Sequence, residues 1–420
     1  MGSSEMDMQN LKTHQTRPSL NYLGLSIIIV LYLAHALPLY FYNVALPSIL
    51  RFQGVDLRWI GMLSLLYIPW AFKFLWAPWI DQLYFRKLGK RKTWLLITQI
   101  ALVLGVVALA FTQFQYGLLV FVVIGLWIST FAATQDIAID GYTVESLDAQ
   151  DYRLGSLAQS VGVAWGSMIG GALTLWLYQL YGWTFALLAL ALMTALTMLA
   201  IFFIRENQNL DSPSTQLKPS LIQAFKRPEI RYAIALIICY RLVEAPAMAM
   251  LTPMLIDQKW SLAQIGFLMS VIGANVGLAA AIFAAVVLKK IDSTQLILWA
   301  GWARTLLYLC IGAAVVVGWI HQWHWLMAIF VLCMLIIRYI AMTALYAYFM
   351  QNSSKDQAGT DFTILVCFEL LVYFIGGAAS GFLAKSIGYG NFYWVLGIAS
   401  IISVLLSYWV ISKQRMRLQA

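Results

Sequence analysis

Residues 72–82 read Phe-Lys-Phe-Leu-Trp-Ala-Pro-Trp-Ile-Asp-Gln: a lysine in mid-run of an apolar stretch that ends in an aspartate. The strongly basic run Arg86-Lys87-Leu88-Gly89-Lys90-Arg91-Lys92 follows within a few residues. A lysine at bilayer depth costs several kcal/mol unless it faces a partner or a water-filled cavity. Lys73 therefore marks a membrane protein with a polar interior.

The whole chain has the same character. Of 420 residues, 62% are hydrophobic and only 11% are charged, and the mean hydropathy is +0.78. No soluble domain of this size has that composition. With about 20 residues per crossing, hydropathy divides the chain into twelve spans. Six run Tyr22 to Leu50, Trp59 to Tyr84, Thr93 to Thr112, Tyr116 to Asp140, Leu154 to Tyr178 and Trp183 to Ile204. Six more run Tyr232 to Ile256, Leu262 to Leu288, Thr294 to Gly318, Trp323 to Met350, Gly359 to Ala384 and Phe392 to Ile411.

The net charge of +9 follows topology rather than a nucleic-acid partner. With both termini in the cytoplasm, nineteen Lys and Arg fall on the cytoplasmic side and four, Arg51, Arg58, Lys259 and Lys385, on the other. That is the positive-inside asymmetry. Lys73, Arg241, Arg304 and Arg338 lie inside spans. No removable signal peptide is apparent in the polar segment Met1 to Ser19. Cys239, Cys310, Cys333 and Cys367 show no metal-type spacing and read as small packing residues. Neither metal nor cofactor is expected.

The connector Arg205 to Arg231 carries Pro213, Pro219 and Pro228 and separates two sets of six spans. The halves repeat faintly. Pro47 with Ile60-Gly61 recurs as Pro253 with Ile265-Gly266, and Asp151 to Gly155 recurs as Asp356 to Gly359. The offsets stay between 204 and 206 residues (for example 359 − 155 and 253 − 47). Two six-helix halves with a midplane site between them form the major-facilitator architecture. The expected organisation is a tail 1–21, a bundle 22–204, a linker 205–231, a bundle 232–412 and a tail 413–420.

Two motifs carry chemistry. Asp81, Arg86, Gly89, Lys90, Arg91 and Lys92 approximate a gating loop in which a helix-end acid and a cluster of bases latch neighbouring helix ends, although a solvated loop would carry many of the same bases. Span 4 ends Thr134-Gln135-Asp136-Ile137-Ala138-Ile139-Asp140-Gly141-Tyr142, which sets Asp136 and Asp140 on one helical face. Two carboxylates in a partly dry site favour holding a proton between them, which suits proton coupling. Asp140, at the end of the span, equally suits a salt bridge to Arg153.

FKFLWAPWID in span 2 and TQDIAIDGYTVESL at the end of span 4 resemble the AmpG-type branch of the major facilitator superfamily. That branch contains muropeptide permeases, acetyl-CoA transporters and siderophore importers of the RhtX/FptX type. The compact length and the run Ile68-Pro69-Trp70-Ala71 look more like the siderophore importers. The resemblance implies import from periplasm to cytoplasm, with Lys73, Asp136 and Asp140 as the transferable functional positions.

Other buried charges extend the site. Arg241 and Glu244 are three apart on span 7, Arg338 is near mid-depth on span 10, and Glu369 is near mid-depth on span 11. Spans 1, 4, 7 and 10 line the cavity in this fold, so His35 joins Asp136, Arg241, Glu244 and Arg338. The cations suggest an anionic ligand. Tyr40, Trp76, Trp127 and Tyr346 are candidates for flat contacts, although Trp and Tyr commonly serve as interface anchors or packing groups. Arg304, on a peripheral span, reads as a structural partner.

The reading is an all-α polytopic protein of the bacterial inner membrane, monomeric, importing a ferric siderophore by alternating access with protons. The expected substrate-binding residues are Lys73, Arg241, Arg338, His35, Trp76, Tyr40, Trp127 and Tyr346; the proton-coupling residues are Asp136, Asp140, Glu244 and Glu369; the gating residues are Asp81, Arg86, Lys90 and Arg91. The alternative substrate is a muropeptide, and a polytopic membrane enzyme is a third reading.

Overall fold

In hydrocarbon no water is available to pair with the backbone, so each apolar run must satisfy its own N–H and C=O groups, and the helix is how a single segment does so. The computed structural model describes residues 22–53, 62–112, 118–204, 206, 218–261, 264–265, 267–319 and 323–419. The expected N-terminal tail, linker residues 205 and 207–217, Ile60-Gly61 and Gly266 lie outside them. All regular structure among the described residues is helical.

Among the described residues, nine helical runs are long and apolar enough to cross a bilayer. Two of them, Ala149–Phe202 and Lys355–Arg417, are too long for one crossing. They break at Gly182 (φ 81°) and Gly388 (φ 76°), where the left-handed backbone favours glycine. The breaks are 206 residues apart (388 − 182), the same offset that relates the sequence halves. The remaining segment, 62–82, is a chain of short pieces. Pro69 and Pro78 each open a new turn, and the 3-10 turn Lys73–Leu75 lies between them. Twelve crossings are thereby accommodated.

We number the crossings α1 (Tyr22–Leu50), α2 (62–82), α3 (Lys90–Ala110), α4 (Leu119–Ser146), α5 (149–181) and α6 (183–202). The second half comprises α7 (Pro228–Asp257), α8 (Phe267–Val287), α9 (Ser293–Val316), α10 (Trp325–Asn352), α11 (355–387) and α12 (389–417). One face carries the 83–89 turn, the short helix Leu221–Lys226 and the ends of α6 and α12. It is called the basic face below.

Three apolar cores show how the halves meet. At the basic face a single core is shared by both: Tyr32, Ala77, Ile137, Tyr142 and Ala158 of the first half pack with Ile230, Ala284, Ala344, Phe349 and Phe362 of the second. Toward the opposite face the core splits in two. One contains Leu37, Leu66, Leu102, Ile128 and Leu190; the other contains Leu251, Leu268, Ile311, Leu335 and Phe392. The bundle is thus closed on the basic face and divided on the other.

Glycines of α5 and α11, at similar places in the two halves, pack differently. A Cβ at Gly166 would lie 2.3 Å from Ala36 Cβ, and one at Gly170 would lie 2.0 Å from the Leu37 carbonyl oxygen, so α5 presses directly on α1. In the second half a Cβ at Gly376 would meet Ala245 Cβ at 2.9 Å, whereas Gly377 and Gly381 have room. The first half has the closer glycine contact of the two.

Candidate functional site

The interruption of α2 places Lys73. Its residue is wholly buried, and its ammonium forms an ion pair with Asp136 on α4 and lies 5.0 Å from the centroid of the Trp70 ring. His35 Nε2 on α1 is 3.5 Å from the other Asp136 oxygen. One turn along α4, Asp140 accepts a 2.7 Å hydrogen bond from the Tyr32 hydroxyl, and its second oxygen is buried without a partner. Asp140 is therefore not at a helix margin and does not pair with Arg153. The helix continues to Ser146, six residues beyond the expected end of the span.

A second cluster faces it from the other half. Arg241 pairs with both Glu244 and Glu369. Arg338 is 3.8 Å from Glu244, donates to the Tyr373 hydroxyl at 3.4 Å, and has its guanidinium 5.0 Å from the centroid of that ring. Its side chain is 23% exposed, while those of Arg241 and Glu244 are nearly closed off. Arg304 lies behind them, bonded to the Tyr240 carbonyl at 2.8 Å and to Ser400 and Ser403. It is a structural partner, as expected, yet it adds a buried positive charge with no carboxylate bound to it.

The remaining expected contacts divide. Tyr40 lies in the field of Arg338, next to Tyr339 and Tyr67. Tyr346 packs on Phe349 and Phe362 and lies in the field of both clusters. Trp76 donates to Thr134 Oγ1 at 3.1 Å and packs against the shared core. Trp127 does not join the site. Its indole donates to the Ala101 carbonyl on α3, its ring packs on Phe131, and about half of it is exposed.

On the basic face, Asp81 joins the halves. Its Oδ2 accepts hydrogen bonds from Thr360 N at 2.7 Å and Thr360 Oγ1 at 2.6 Å, at the start of α11. Its Oδ1 pairs with Arg91 at 2.8 Å and with Lys90 at 3.5 Å. Glu145 on α4 holds Arg91 and Lys90 from the other side. Gly141 and Gly359 leave the room this requires: a Cβ at Gly141 would lie 2.3 Å from the Arg91 guanidinium carbon, and one at Gly359 would lie 2.9 Å from Asp81 Oδ1. Arg86 is exposed on the 83–89 turn and stands outside the latch. Lys355 Nζ donating to the Leu147 carbonyl at 3.2 Å adds a second tie between halves.

Tyr32, Trp70, Tyr373, Glu145 and Thr360 were not singled out from the sequence. Tyr32 is one turn before His35, and Tyr373 is four residues after Glu369, on the same helical faces. That spacing was the available signal. Among the described residues no set of three His, Cys, Asp or Glu is grouped to hold a metal ion.

The family described as Major Facilitator Superfamily matches residues 28–368. The anhydromuropeptide permease of Escherichia coli K12 is 24% identical over 395 residues, covering 91% of this chain and 78% of the relative. An uncharacterized protein of Haemophilus influenzae is 25% identical over 403 residues, covering 89% and 91%. Among solved structures, the proton:xylose symporter XylE superposes with a TM-score of 0.71 at 13% identity, covering 91% of this chain and 94% of the other. That last likeness concerns the fold alone.

Proposed function

The chain belongs to the Major Facilitator Superfamily, and from that premise we propose that it imports a hydrophilic anion together with protons, with anhydromuropeptides as the substrate class. It is a multi-pass membrane transporter rather than an enzyme. The carrying observation is the opposed charge of the two buried clusters. With His35 neutral, the first half sets Lys73 against Asp136 and Asp140, and the second sets Arg241, Arg304 and Arg338 against Glu244 and Glu369. One half has a surplus negative charge, the other a surplus positive one.

A buried charge is costly unless paired, so each surplus compensates the other in the unloaded protein. A solute anion docking at Arg338, the cation with the freest side chain, cancels the positive surplus. The negative surplus then favours a proton on the Asp136 and Asp140 pair, whose unpartnered Asp140 oxygen can hold it. Loaded with both, the core is neutral and can close to water. The state described here is shut on the basic face and suits loading from the other side. We place the basic face and both termini in the cytoplasm from the nineteen-to-four charge asymmetry. A reporter fused after Lys413 should score cytoplasmic; a periplasmic score reverses the direction of transport.

The relatedness over nearly the whole chain to an anhydromuropeptide permease supports the muropeptide reading over the ferric siderophore suggested by the compact length. Proteoliposomes containing the purified protein test the choice. Labelled anhydromuropeptide should accumulate with an imposed proton gradient, and a labelled ferric hydroxamate should not. Uptake of the ferric complex alone would reverse the assignment.

A further inference from the structure

Outside the two charge clusters and the latch, one feature combines unpaired cations with an open volume. On the basic face the halves leave a cavity of about 390 Å³ between the starts of α5 and α9 and the end of α10. Gln150 and Arg153 line it from the first half, and Lys289, Asp292, Ser293 and Gln351 from the second. We propose that this groove binds a phosphate-bearing anion, either the headgroup of an anionic phospholipid or a soluble phosphate, held between Arg153 and Lys289.

Arg153 and Lys289 come from opposite halves, and neither makes an ion pair with a described carboxylate. The Asp140 that a sequence reading would give to Arg153 is instead bonded to Tyr32. The one acid in the lining, Asp292, is already engaged: its Oδ2 accepts from Arg415 at 2.7 Å and from Thr294 Oγ1 at 2.5 Å. Gln351 Oε1 accepts from Ser293 Oγ at 2.9 Å, which turns its carbonyl inward to the protein and leaves its amide as a donor. The lining thus offers two cations and a set of neutral donors, with its only carboxylate compensated.

The dimensions and position fit the ligand class. The volume lies in the range of small-ligand sites. Arginine and lysine are the side chains that hold phosphate, the first by its planar fork and the second as a point charge. Along α8, Phe283 and Val286 are exposed apolar side chains one to two turns before Lys289. An apolar shaft leading to a cation is what a phospholipid needs if its acyl chains are to lie along the helix while its phosphate enters the groove. A soluble phosphate would reach the same cations from the aqueous side. In either case the anion touches both halves on the face where the latch already holds them together.

The full-length protein, purified in detergent and also placed in nanodiscs, provides the test. Thermal unfolding is followed by tryptophan fluorescence during titration with inorganic phosphate, and in phosphatidylcholine discs with and without phosphatidylglycerol. A saturable rise of about 2 °C from at least one source is expected. It should be lost in the Arg153→Gln/Lys289→Gln variant and kept in Lys290→Gln, which changes the neighbouring lysine outside the lining. A rise with inorganic phosphate identifies the soluble source; a rise only with phosphatidylglycerol identifies the lipid. Equal rises in wild type and the double variant, or no rise from either source, overturn the proposal. Should the double variant fail to fold, Lys289→Gln alone carries the comparison, because that lysine is exposed.

Discussion

The two halves break at matching glycines and differ in charge. Their breaks at Gly182 and Gly388 keep the sequence offset, yet one lysine faces two carboxylates in the first half and three arginines face two in the second. Their partners differ as well. Lys73 is closed off completely and shares Asp136 with His35, while Arg338 keeps a side chain partly open beside Tyr373. Two halves with matching breaks therefore hold two unlike sites. The closed, acid-rich cluster suits a small cargo such as a proton, and the more open, base-rich cluster suits an anion.

Breaking the first cluster should produce the largest effect. Lys73→Met strips Asp136 of the ammonium paired with it, and removing one partner of a buried pair costs about 3–5 kcal/mol. Thermal unfolding in detergent should show a marked loss of stability. Lys73→Met combined with Asp136→Asn should recover much of that stability while transport stays absent. If the double variant is no more stable than the single one, the pair is not the unit described here.

The second cluster should respond in affinity rather than in folding. Arg338→Gln leaves Arg241 with both of its carboxylates, so the bundle should remain intact. Loss of a charge contact to the solute typically costs at least about 2 kcal/mol, or roughly thirtyfold in apparent affinity. Concentration-dependent uptake measures it. An unchanged half-saturation would remove Arg338 from the solute site.

A smaller shift is expected at the latch, where both hydrogen bonds of Thr360 to Asp81 join the halves. Thr360→Val removes the hydroxyl bond and keeps the backbone one, and a hydrogen bond to a charged group contributes about 1.5–3 kcal/mol. Cysteine cross-linking across the basic face should show more of the opened state. An unaltered cross-linking yield would show that the Thr360 hydroxyl bond does not help to hold that face shut.

Much of this contrast was legible in the sequence, because an ionisable residue inside an apolar run stands out regardless of fold. Lys73, Asp136, Arg241, Glu244, Arg338 and Glu369 were all found that way. The errors have local causes. The polar run Gly141 to Ser146 lowers the hydropathy, so span 4 seems to stop at Asp140 although the helix continues and buries it. Trp127 is nine residues from Asp136, two and a half turns, which sets it on the opposite helical face; that much could have been read from spacing. Tyr32 and Tyr373 could not be picked out from twenty-one tyrosines by composition. Their roles depend on which helix lies across from them.

The unpartnered oxygen of Asp140 makes the central claim testable in one comparison. Each unit of pH gradient can support about tenfold accumulation per coupled proton, equivalent to about 1.4 kcal/mol. Asp140→Asn can still accept the Tyr32 hydrogen bond but cannot take up the proton. Substrate accumulation should therefore be measured in proteoliposomes with an imposed inward proton gradient, alongside exchange of labelled for unlabelled substrate without one. Wild type should accumulate substrate, and Asp140→Asn should retain exchange but fall to equilibration. Uphill accumulation by Asp140→Asn equal to that of wild type would contradict proton coupling through Asp140.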